Sequence, residues 1–500
     1  MEDEIGQMIK MQVWKLEPLP PGKRPLTCRW VYRRKLKSDN AIDKYRARLC
    51  VRGNAQTPGE EFRELFAPVA RADTIRTLLA IGAARKLKVK QFDISVAFLH
   101  GELEEVIWMT QPPGFQDNTG RVCKLLHSLY GLRQASRCFN RKFAALLREL
   151  NFSQSQADNC LYYWHGPNGE MTLIALYVDD GIIFSTHQQL INETLTNIGK
   201  RFKIKTSELS MFLGMHIHID EAHNIWLNQF KYIRTILKRF EMDKCRPIST
   251  PADSSIYDML PAEGPPAIER PYRSIVGALV YLSISTRPDI AFITGFLSRF
   301  LDKYTEDHWN AALRVLKYLQ DTSGLSIVYS GNPEPSLEDS LRLFCDADFA
   351  QCKISRRSVS GSVALLAGGP IFWASNTQKS VALSTTESEF YAITDCAKLG
   401  LWLRNLFAEL RIQIQPVIHV DNKGALQIVA DPQHHKRVKH IACRFLFVRE
   451  TSERKQIDYR YIPTSQNVAD QLTKPLPRPL FEQHRDSTGL TPWPVKQSFL

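Results

Sequence analysis

The sequence predicts an α+β fold, because patterns typical of strands and of helices alternate along the chain. Residues 173–184 consist of two apolar, strand-like runs separated by Asp179-Asp180-Gly181, which is a strong signal for a β-hairpin. Residues 72–86 and 135–150 space their apolar positions as helices do. A helix between strands, repeated in this way, is typical of a mixed fold, and 44% hydrophobic residues suffice for large cores.

Composition limits the classes of protein to which the chain can belong. Its 500 residues include 65 Lys and Arg against 52 Asp and Glu, and the formal net charge of +13 favours a polyanionic partner. The ten cysteines contain no Cys-x-x-Cys pair, and the first residues lack a signal-peptide pattern, so we expect reduced thiols and an intracellular location. The apolar residues 275–301 are interrupted by Arg287-Pro288-Asp289, which predicts buried helices and no membrane span.

Residues 14–53 alternate apolar and basic positions, as amphipathic strands with one cationic face do. Lys44, Arg46 and Arg48 recur at a period of two, so their side chains project from the same side of the strand. From there they could bind a triphosphate. The alternative is a solvated sheet face without a ligand.

Three aspartates follow apolar, strand-like runs. Asp93 ends one such run, and Asp179 with Asp180 lies at the tip of the hairpin at 173–184. The three carboxylates could therefore meet around one site and bind metal ions. A hairpin turn without chemistry explains Asp179 and Asp180 equally well on its own, and it is Asp93 that favours the metal site.

The strings Tyr177-Val178-Asp179-Asp180 and Ser128–Ala135, read as Ser-Leu-Tyr-Gly-Leu-Arg-Gln-Ala, identify a family. They resemble motifs of the reverse transcriptases of Ty1/copia-type retrotransposons, and the segment around Asp93 resembles the first metal-binding motif of these enzymes. Further matches extend the resemblance along almost the whole chain, at residues 44–49, 66–69 and 250–253.

This resemblance implies roles for particular residues. Asp93 and Asp179 would bind two Mg²⁺ ions, for which Mn²⁺ could substitute, and Asp180 would support the catalytic metal site electrostatically. Phe98 matches the bulky residue that abuts the sugar and excludes a 2′-hydroxyl, although a core aromatic is the alternative. The residues predicted to contact the incoming nucleotide are Lys44, Arg46, Arg48, Phe98, Tyr130, Gly131 and Gln134.

A second set of acidic residues follows residue 341, in strand, helix, strand and helix settings: Asp346, Glu389, Asp421 and Asp470. That order resembles the ribonuclease H fold. In this family four carboxylates hold two divalent ions that orient a water molecule and stabilise the oxygen leaving an RNA phosphodiester. The resemblance therefore implies that all four residues are catalytic metal ligands.

Two positions in this set have competitors. Ser384 and Glu387 fit a capping box, in which the Glu387 carboxylate reaches back to the backbone of the N-cap. Glu389 instead lies on the apolar helical stripe that faces the core, where a carboxylate needs a partner such as a metal ion. We therefore predict Glu389 as the ligand. Asp348 shares a strand face with Asp346 and remains the alternative for the first ligand.

The resemblance and the proline-rich breaks together predict four segments. Residues 1–245 would form the fingers, palm and start of the thumb of a reverse transcriptase, and 246–340 a proline-rich linker with a helical thumb or connection region. Residues 341–475 would form a ribonuclease H-like α/β domain, and 476–500 an irregular tail. A zinc site at His434, His435, His440 and Cys443 is disfavoured because the spacing fits no standard finger.

The leading hypothesis is an RNA-directed DNA polymerase whose C-terminal ribonuclease H degrades the RNA of the RNA–DNA hybrid. The expected partners are an RNA template, a DNA or tRNA-type primer, dNTPs, the hybrid, and the capsid and integrase of the element, without a membrane. We expect a location in cytoplasmic virus-like particles, in the nucleus, or in both. The alternatives are an inactive remnant that only binds nucleic acid and a host protein that reuses the fold as a scaffold.

Overall fold

The computed structural model describes residues 1–36, 42–264, 269–430 and 442–494. The chain forms two compact units, one of Met1–Ala70 with Lys88–Glu208 and the other of Arg71–Leu87 with Leu209–Leu500. The predicted domain boundaries at 245 and 340 stay predictions. Within the described residues, no helix is both long and apolar enough to cross a membrane.

The helices predicted at 72–86 and 135–150, the strand before Asp93 and the hairpin at 173–184 are confirmed, with ends that differ by a few residues. The helices described there are α1 (Glu2–Lys10), α2 (Ala72–Ala84), α3 (Ala135–Glu149) and α4 (Gln188–Gly199). The strands are β1 (Trp14–Glu17), β2 (Cys28–Leu36), β3 (Ile42–Val51), β4 (Lys88–Ile94), β5 (Glu102–Met109), β6 (Val122–His127), β7 (Ser153–Gln154), β8 (Leu161–His165), β9 (Met171–Tyr177), β10 (Asp180–Ser185) and β11 (Ile204–Ser207).

A six-stranded antiparallel sheet in the order β11-β4-β10-β9-β8-β7 forms the centre of the first unit. Side chains alternate across a strand, so Phe92 and Ile94 enter the core that α3 and α4 cover, while Asp93 between them faces the other way. The predicted hairpin forms from β9 and β10. Apolar alternation thus places the carboxylates on the face of the sheet opposite the helices.

The remaining strands of the first unit form two smaller sheets. The three strands β1-β6-β5 pair antiparallel, and β2 pairs with β3 in a separate two-stranded hairpin. The predicted amphipathic pattern is confirmed only at the base of this hairpin, because Tyr32 and Tyr45 farther along it are exposed. Leu49 and Val51 of β3 are buried in a second core, whereas Lys44 is exposed.

The second unit contains the helices α5 (Phe230–Arg239), α6 (Tyr272–Ser285), α7 (Ala291–Leu297), α8 (Glu306–Asp321), α9 (Thr385–Glu409), α10 (Lys423–Ala430), α11 (Ala442–Glu453) and α12 (Arg478–Ser487) in its described residues. Its strands are β12 (Met211–Phe212), β13 (Met215–Ile219), β14 (Ile225–Asn228), β15 (Leu325–Tyr329), β16 (Arg342–Ala347), β17 (Val359–Leu366), β18 (Gly369–Thr377), β19 (Val417–Val420), β20 (Asp458–Tyr461) and β21 (Leu490–Pro492). Helix α2 belongs to this unit, although the strands of the first unit flank it in sequence.

Two five-stranded sheets organise the second unit. One has the order β12-β13-β14-β15-β21 and is antiparallel. The other has the order β18-β17-β16-β19-β20, in which β19 runs parallel to both β16 and β20. Because parallel neighbours need a crossover, the chain between β18 and β19 forms the long helix α9. This sheet carries the second set of carboxylates.

The prediction of an irregular tail is wrong for residues 478–492. Arg478–Ser487 is a helix, and Leu490–Pro492 pairs with β15 as the edge strand of a sheet. Proline is compatible with the first turn of a helix, because no intrahelical partner exists there for its missing N–H, and Pro479 occupies that position. Phe481 and Leu490 are buried, so apolar contacts fasten this segment to the unit.

The apolar stretch at 275–301 forms buried helices, as the sequence predicts, and its polar interruption is a buried ion pair. The guanidinium of Arg287 donates to the Asp289 carboxylate at 2.7 and 2.9 Å, and both residues are at most 2% exposed. Tyr318 donates its hydroxyl hydrogen to Asp289 at 2.6 Å, and Arg287 also donates to the Thr322 carbonyl oxygen at 2.9 Å. The network ties the α6–α7 connection to α8.

We predict that Arg287→Met lowers the free energy of unfolding of the second unit by about 3–5 kcal/mol, because it leaves the Asp289 carboxylate buried without its cation. The measurement is urea unfolding of the full chain. The control is Arg273→Met, which removes an ion pair to Asp302 whose side chains are 67% and 85% exposed. This control should cost less than about 1 kcal/mol. Equal losses in the two variants would contradict a specific role of the buried pair.

Candidate functional sites

The first candidate site lies at the β4–β10 pair of the first unit. Asp93 and Asp180 are direct partners in the antiparallel register, so their side chains project from the same face of the sheet. The N–H of Ile94 donates to the Asp179 carbonyl oxygen at 2.9 Å and holds the hairpin tip against β4. The structure therefore brings together the three aspartates that the sequence analysis singled out.

Burial and the repulsion of neighbouring charges raise the pKa values of Asp179 and Asp180. Burial, together with the charges of Asp179 and Asp93, raises the pKa of Asp180 to about 6. Burial also raises the pKa of Asp179, with a contribution from Asp93 in the same direction, while Arg48 and Arg46 act in the opposite direction. Like charges held this close need cations, and hard carboxylate oxygens are the ligands that Mg²⁺ prefers. Asp93, Asp179 and Asp180 therefore offer a donor set whose chemistry suits such an ion.

Two valines beside these aspartates have a strained backbone. Val178 precedes Asp179 and has φ 60°, and Val96 follows β4 with φ 54°. A β-branched residue rarely adopts this left-handed conformation, which costs about 1–3 kcal/mol per residue. Such strain persists only where the surrounding structure imposes it. Here it occurs directly before Asp179 and three residues after Asp93.

Several predicted nucleotide-binding side chains converge near this site. The guanidinium of Arg48 lies 4.6 Å from the ring centroid of Tyr130, and the ring of Phe98 packs edge-on against the same ring at 5.0 Å. Arg46 follows the same face of β3, in register with Arg33 of β2. Lys44 is exposed farther along that face. Phe98 is half-buried, and the Ser128 hydroxyl donates to its carbonyl oxygen.

Gly131 and Gln134 have structural contacts within the first unit. Gly131 has φ +94°, and a Cβ at this position would collide with the Val51 carbonyl oxygen, so glycine is required where the turn meets β3. The amide of Gln134 accepts a hydrogen bond from Gln56 at 3.0 Å and donates to the Glu61 carbonyl oxygen at 2.8 Å. These bonds support the surrounding loops, and the predicted contact of Gln134 with a nucleotide stays a prediction.

The second candidate site lies on the mixed sheet of the second unit. Asp346 is in β16, Glu389 in α9, and Asp421 directly follows β19. One carboxylate oxygen from each lies within 4.8 Å of the others, and this is the one such set of three acidic, His or Cys ligands in the described part of the chain. The Oε2 atom of Glu389 is buried and has no hydrogen-bond partner among the described residues. A divalent ion fits this set, because it would supply the missing partner.

The electrostatics of the second site resemble those of the first. Burial, followed by the charges of Asp346 and Asp421, raises the pKa of Glu389 well above its usual range. Burial and Asp346 likewise raise the pKa of Asp421. The fourth predicted ligand, Asp470, lies in a 3₁₀ turn rather than an α-helix and outside the set of three. Burial and Asp346 raise the pKa of Asp470 to about 7.

The geometry separates the competing acids. The Glu387 N–H donates to the Ser384 hydroxyl at 3.1 Å, and the Glu387 carboxylate accepts from the Leu383 N–H at 2.7 Å. Glu387 thus caps α9, as predicted. Its carboxylate accepts from the backbone N–H of Leu383, whereas the sequence analysis expected that of Ser384. Asp348 accepts a hydrogen bond from the Val359 N–H and lies outside the set of three.

Sequence reasoning missed the cations beside both sites. Lys205 of β11 is the register partner of Asp93 on the side opposite Asp180. In the second site the Lys474 ammonium lies 3.1 Å from the Asp470 carboxylate and 3.6 Å from that of Asp346. The spacing of four residues between Asp470 and Lys474 was the available signal. Of the zinc candidates, His434, His435 and His440 lie outside the described residues.

Comparisons with known proteins identify relatives. A family model described as reverse transcriptase (RNA-dependent DNA polymerase) matches residues 11–254. Over 98% of its length the chain is 37% identical to the retrovirus-related Pol polyprotein from transposon TNT 1-94 of Nicotiana tabacum, and it spans 37% of that polyprotein. It is 30% identical to the putative transposon Ty5-1 protein of Saccharomyces cerevisiae, over 61% of this chain and 98% of that protein. A structure of the foamy viral protease-reverse transcriptase in complex with double-stranded DNA aligns with 93% of this chain and 70% of that chain, at 14% identity and a TM-score of 0.47.

Removing the charge of Glu389 and removing that of Glu387 should change the stability of the protein in opposite directions, when both variants are measured in the presence of a chelator. Glu389→Gln should raise the melting temperature at pH 7.5, because it removes a buried carboxylate beside Asp346 and Asp421. The gain should shrink toward pH 5: the raised pKa of Glu389 means that the wild-type protein loses stability as pH rises above the usual value of 4.5. Glu387→Gln should instead cost about 0.3–1 kcal/mol, because the first turn of α9 loses a negative charge while the amide oxygen can still accept from the Leu383 N–H. The measurement is calorimetry, and a loss in both variants would contradict the assignment.

Proposed function

The chain belongs to the reverse transcriptase family of copia-type transposon Pol polyproteins, and from this premise we propose that it copies RNA into DNA and degrades the RNA of the resulting hybrid. The single observation that supports this best is the presence of two separate acidic sites in one chain. Asp93 lies beside Asp180 and Asp179 in the first, and Asp346 beside Glu389 and Asp421 in the second. A polymerase that copies RNA produces the hybrid that the second site would remove, so the two activities explain each other.

Divalent ions, with Mg²⁺ as the first candidate and Mn²⁺ as a substitute, would be held by Asp93 and Asp179 in the first site. In the second site they would be held by Asp346, Glu389 and Asp421, with Asp470 beside them. Such ions activate the attacking hydroxyl or water and stabilise the charge of the leaving oxygen. The chain itself would contribute Asp180, which keeps the site negative, and Arg46 and Arg48, which would bind the triphosphate. The backbone strain at Val178 supports a preorganised hairpin tip.

Further partners follow from the same proposal. The template would be RNA, the primer a DNA strand or a tRNA-type RNA, and the incoming nucleotide a dNTP. The formal charge of +13 favours binding of these polyanions. We place the activity in virus-like particles of the cytoplasm or in the nucleus, with the capsid and integrase of the element as protein partners.

The first test is Mg²⁺-dependent dNTP incorporation on a primed RNA template, with cleavage of the hybrid RNA followed in the same reaction. Asp179→Asn should reduce incorporation by about a hundredfold or more and leave cleavage intact, and Glu389→Gln should do the reverse. Asp117→Asn and Asp395→Asn are matched controls, because both acidic residues lie outside the two sites. Asp117 accepts a hydrogen bond from Thr119 within an exposed loop, and Asp395 pairs with Lys398 at the surface. Well-folded protein that binds nucleic acid without synthesis would support the remnant hypothesis instead.

Phe98 offers a test of sugar selection. If its ring abuts the sugar of the incoming nucleotide, Phe98→Ala should lower the preference for dNTPs over ribonucleotides, measured as the ratio of kcat/KM values, by about tenfold or more. The control is Phe115→Ala, whose ring packs on Trp30 at 6.0 Å and not on Tyr130. An unchanged ratio in an active Phe98→Ala variant would show that Phe98 is a core aromatic.

A further inference from the structure

Lys474 places a cation inside the acidic site of the second unit. Its ammonium lies 3.1 Å from the Asp470 carboxylate and 3.6 Å from the Asp346 carboxylate. The side chains of these two aspartates are only 2% and 3% exposed, whereas that of Lys474 is 33% exposed. The lysine therefore enters from the protein surface and ends between two buried carboxylates.

The segment that carries Lys474 is fastened to the strand that carries Asp346. The side-chain amide of Asn467 donates to the Cys345 carbonyl oxygen at 2.9 Å. The Thr473 hydroxyl contacts the Asp346 carboxylate directly. Between them, the 3₁₀ turn Val468–Leu472 presents Asp470 four residues before the lysine. These contacts define where the ammonium lies, so its position is part of the built site.

The carboxylates fall into two groups that differ in their cation. Asp346, Glu389 and Asp421 form the set whose oxygens lie within 4.8 Å of one another. Glu389, which is 8% exposed, belongs to this set, and its Oε2 atom has no hydrogen-bond partner among the described residues. The second group is the pair of Asp346 and Asp470, which already has a positive charge beside it, that of Lys474. Asp346 belongs to both groups.

We propose that the Lys474 ammonium takes the place of a divalent ion between Asp346 and Asp470. The free protein then binds one divalent ion, at Asp346, Glu389 and Asp421, and a second ion binds only when Lys474 leaves the aspartates. This inference rests on the proposed nuclease function in treating the acidic set as an ion site. An ammonium is a compact point charge at the end of a flexible stem, which suits a cation that another ion can displace.

Asp346 and Asp470 need a counter-charge because both are buried. Two carboxylates that are at most 3% exposed would be strongly destabilising without a counter-charge. Lys474 supplies that charge before any divalent ion arrives. A divalent ion that enters between them must break both ion pairs, and this requirement weakens its binding relative to the first ion. Lys474 would thus act as a residue that determines how many ions the site takes up.

The test counts Mn²⁺ ions bound to the full chain by calorimetric titration and by electron paramagnetic resonance of free Mn²⁺. The background carries Asp93→Asn and Asp179→Asn, so that the first site does not contribute. We expect one ion with Lys474 present and two with Lys474→Met, the second bound at least about tenfold more tightly than in the parent. Two equivalent ions in the parent, or one ion in both proteins, would overturn the proposal.

Controls identify the site and exclude a general charge effect. Lys398→Met removes another lysine of the same unit, which pairs with Asp395 at the surface, and should leave the count at one. Glu389→Gln should abolish the first ion. Lys474→Arg retains the cation and should also bind one ion. A count of two for Lys398→Met or Lys474→Arg would contradict the role of Lys474 as the displaced cation.

A second measurement covers the case in which Lys474→Met folds poorly. In chelator its melting temperature should be lower than that of the parent by several degrees, because Asp346 and Asp470 lose their counter-charge, and Mn²⁺ should restore it. Folding that depends completely on Mn²⁺ would support the proposal, whereas a variant as stable in chelator as the parent would overturn it. Neither measurement requires cleavage of RNA, so an inactive protein with these ion counts would refute only the proposed nuclease.

Discussion

The burial of like-charged carboxylates is the constraint on which both candidate sites depend. Strand ends and strand registers bring aspartates together in each unit, as in the pairing of Asp93 with Asp180. Burial raises the pKa of Asp180, and that of Glu389 in the other unit, because few water molecules can solvate the charge. A fold with this feature needs cations close by, and it tolerates the repulsion only because large apolar cores stabilise the rest of each unit.

Local sequence patterns predicted much of the framework. Apolar, strand-like runs predicted β4 and the β9–β10 hairpin. Helical spacing separated Glu389 from Glu387, because one of the two positions falls on the buried stripe of α9 and the other on its first turn. The helical pattern was visible because burial on one face of a helix imposes a period of about 3.6 residues. The strands β9 and β10 are buried on both faces, so they were visible as short apolar runs instead.

Features that depend on distant parts of the chain escaped prediction. Residues 71–87 pack in the second unit, and the strand Leu490–Pro492 pairs with β15 across a long stretch of sequence. Neither feature leaves a periodic signal, and the prolines of the tail indicated an irregular segment although Pro479 is accepted in a first helical turn. Gln134 was assigned to a ligand from its motif, whereas its hydrogen bonds to Gln56 and Glu61 are visible only in three dimensions.

The two sites meet the same electrostatic requirement with cations of different origin. In the first unit Arg46 and Arg48 lie on β3, a strand of a separate hairpin, and Arg48 also contacts the ring of Tyr130. Arginines that are not paired directly with Asp93 or Asp179 would bind the triphosphate of the proposed reaction without breaking an ion pair. In the second unit the cation is Lys474, which pairs directly with Asp346 and Asp470. Arginines that do not pair with the carboxylates suit a site that exchanges an anionic substrate in every cycle. A lysine paired with the carboxylates suits a site whose positive charge must arrive as metal ions. Between rounds of ion binding, its tethered ammonium keeps the carboxylates in place.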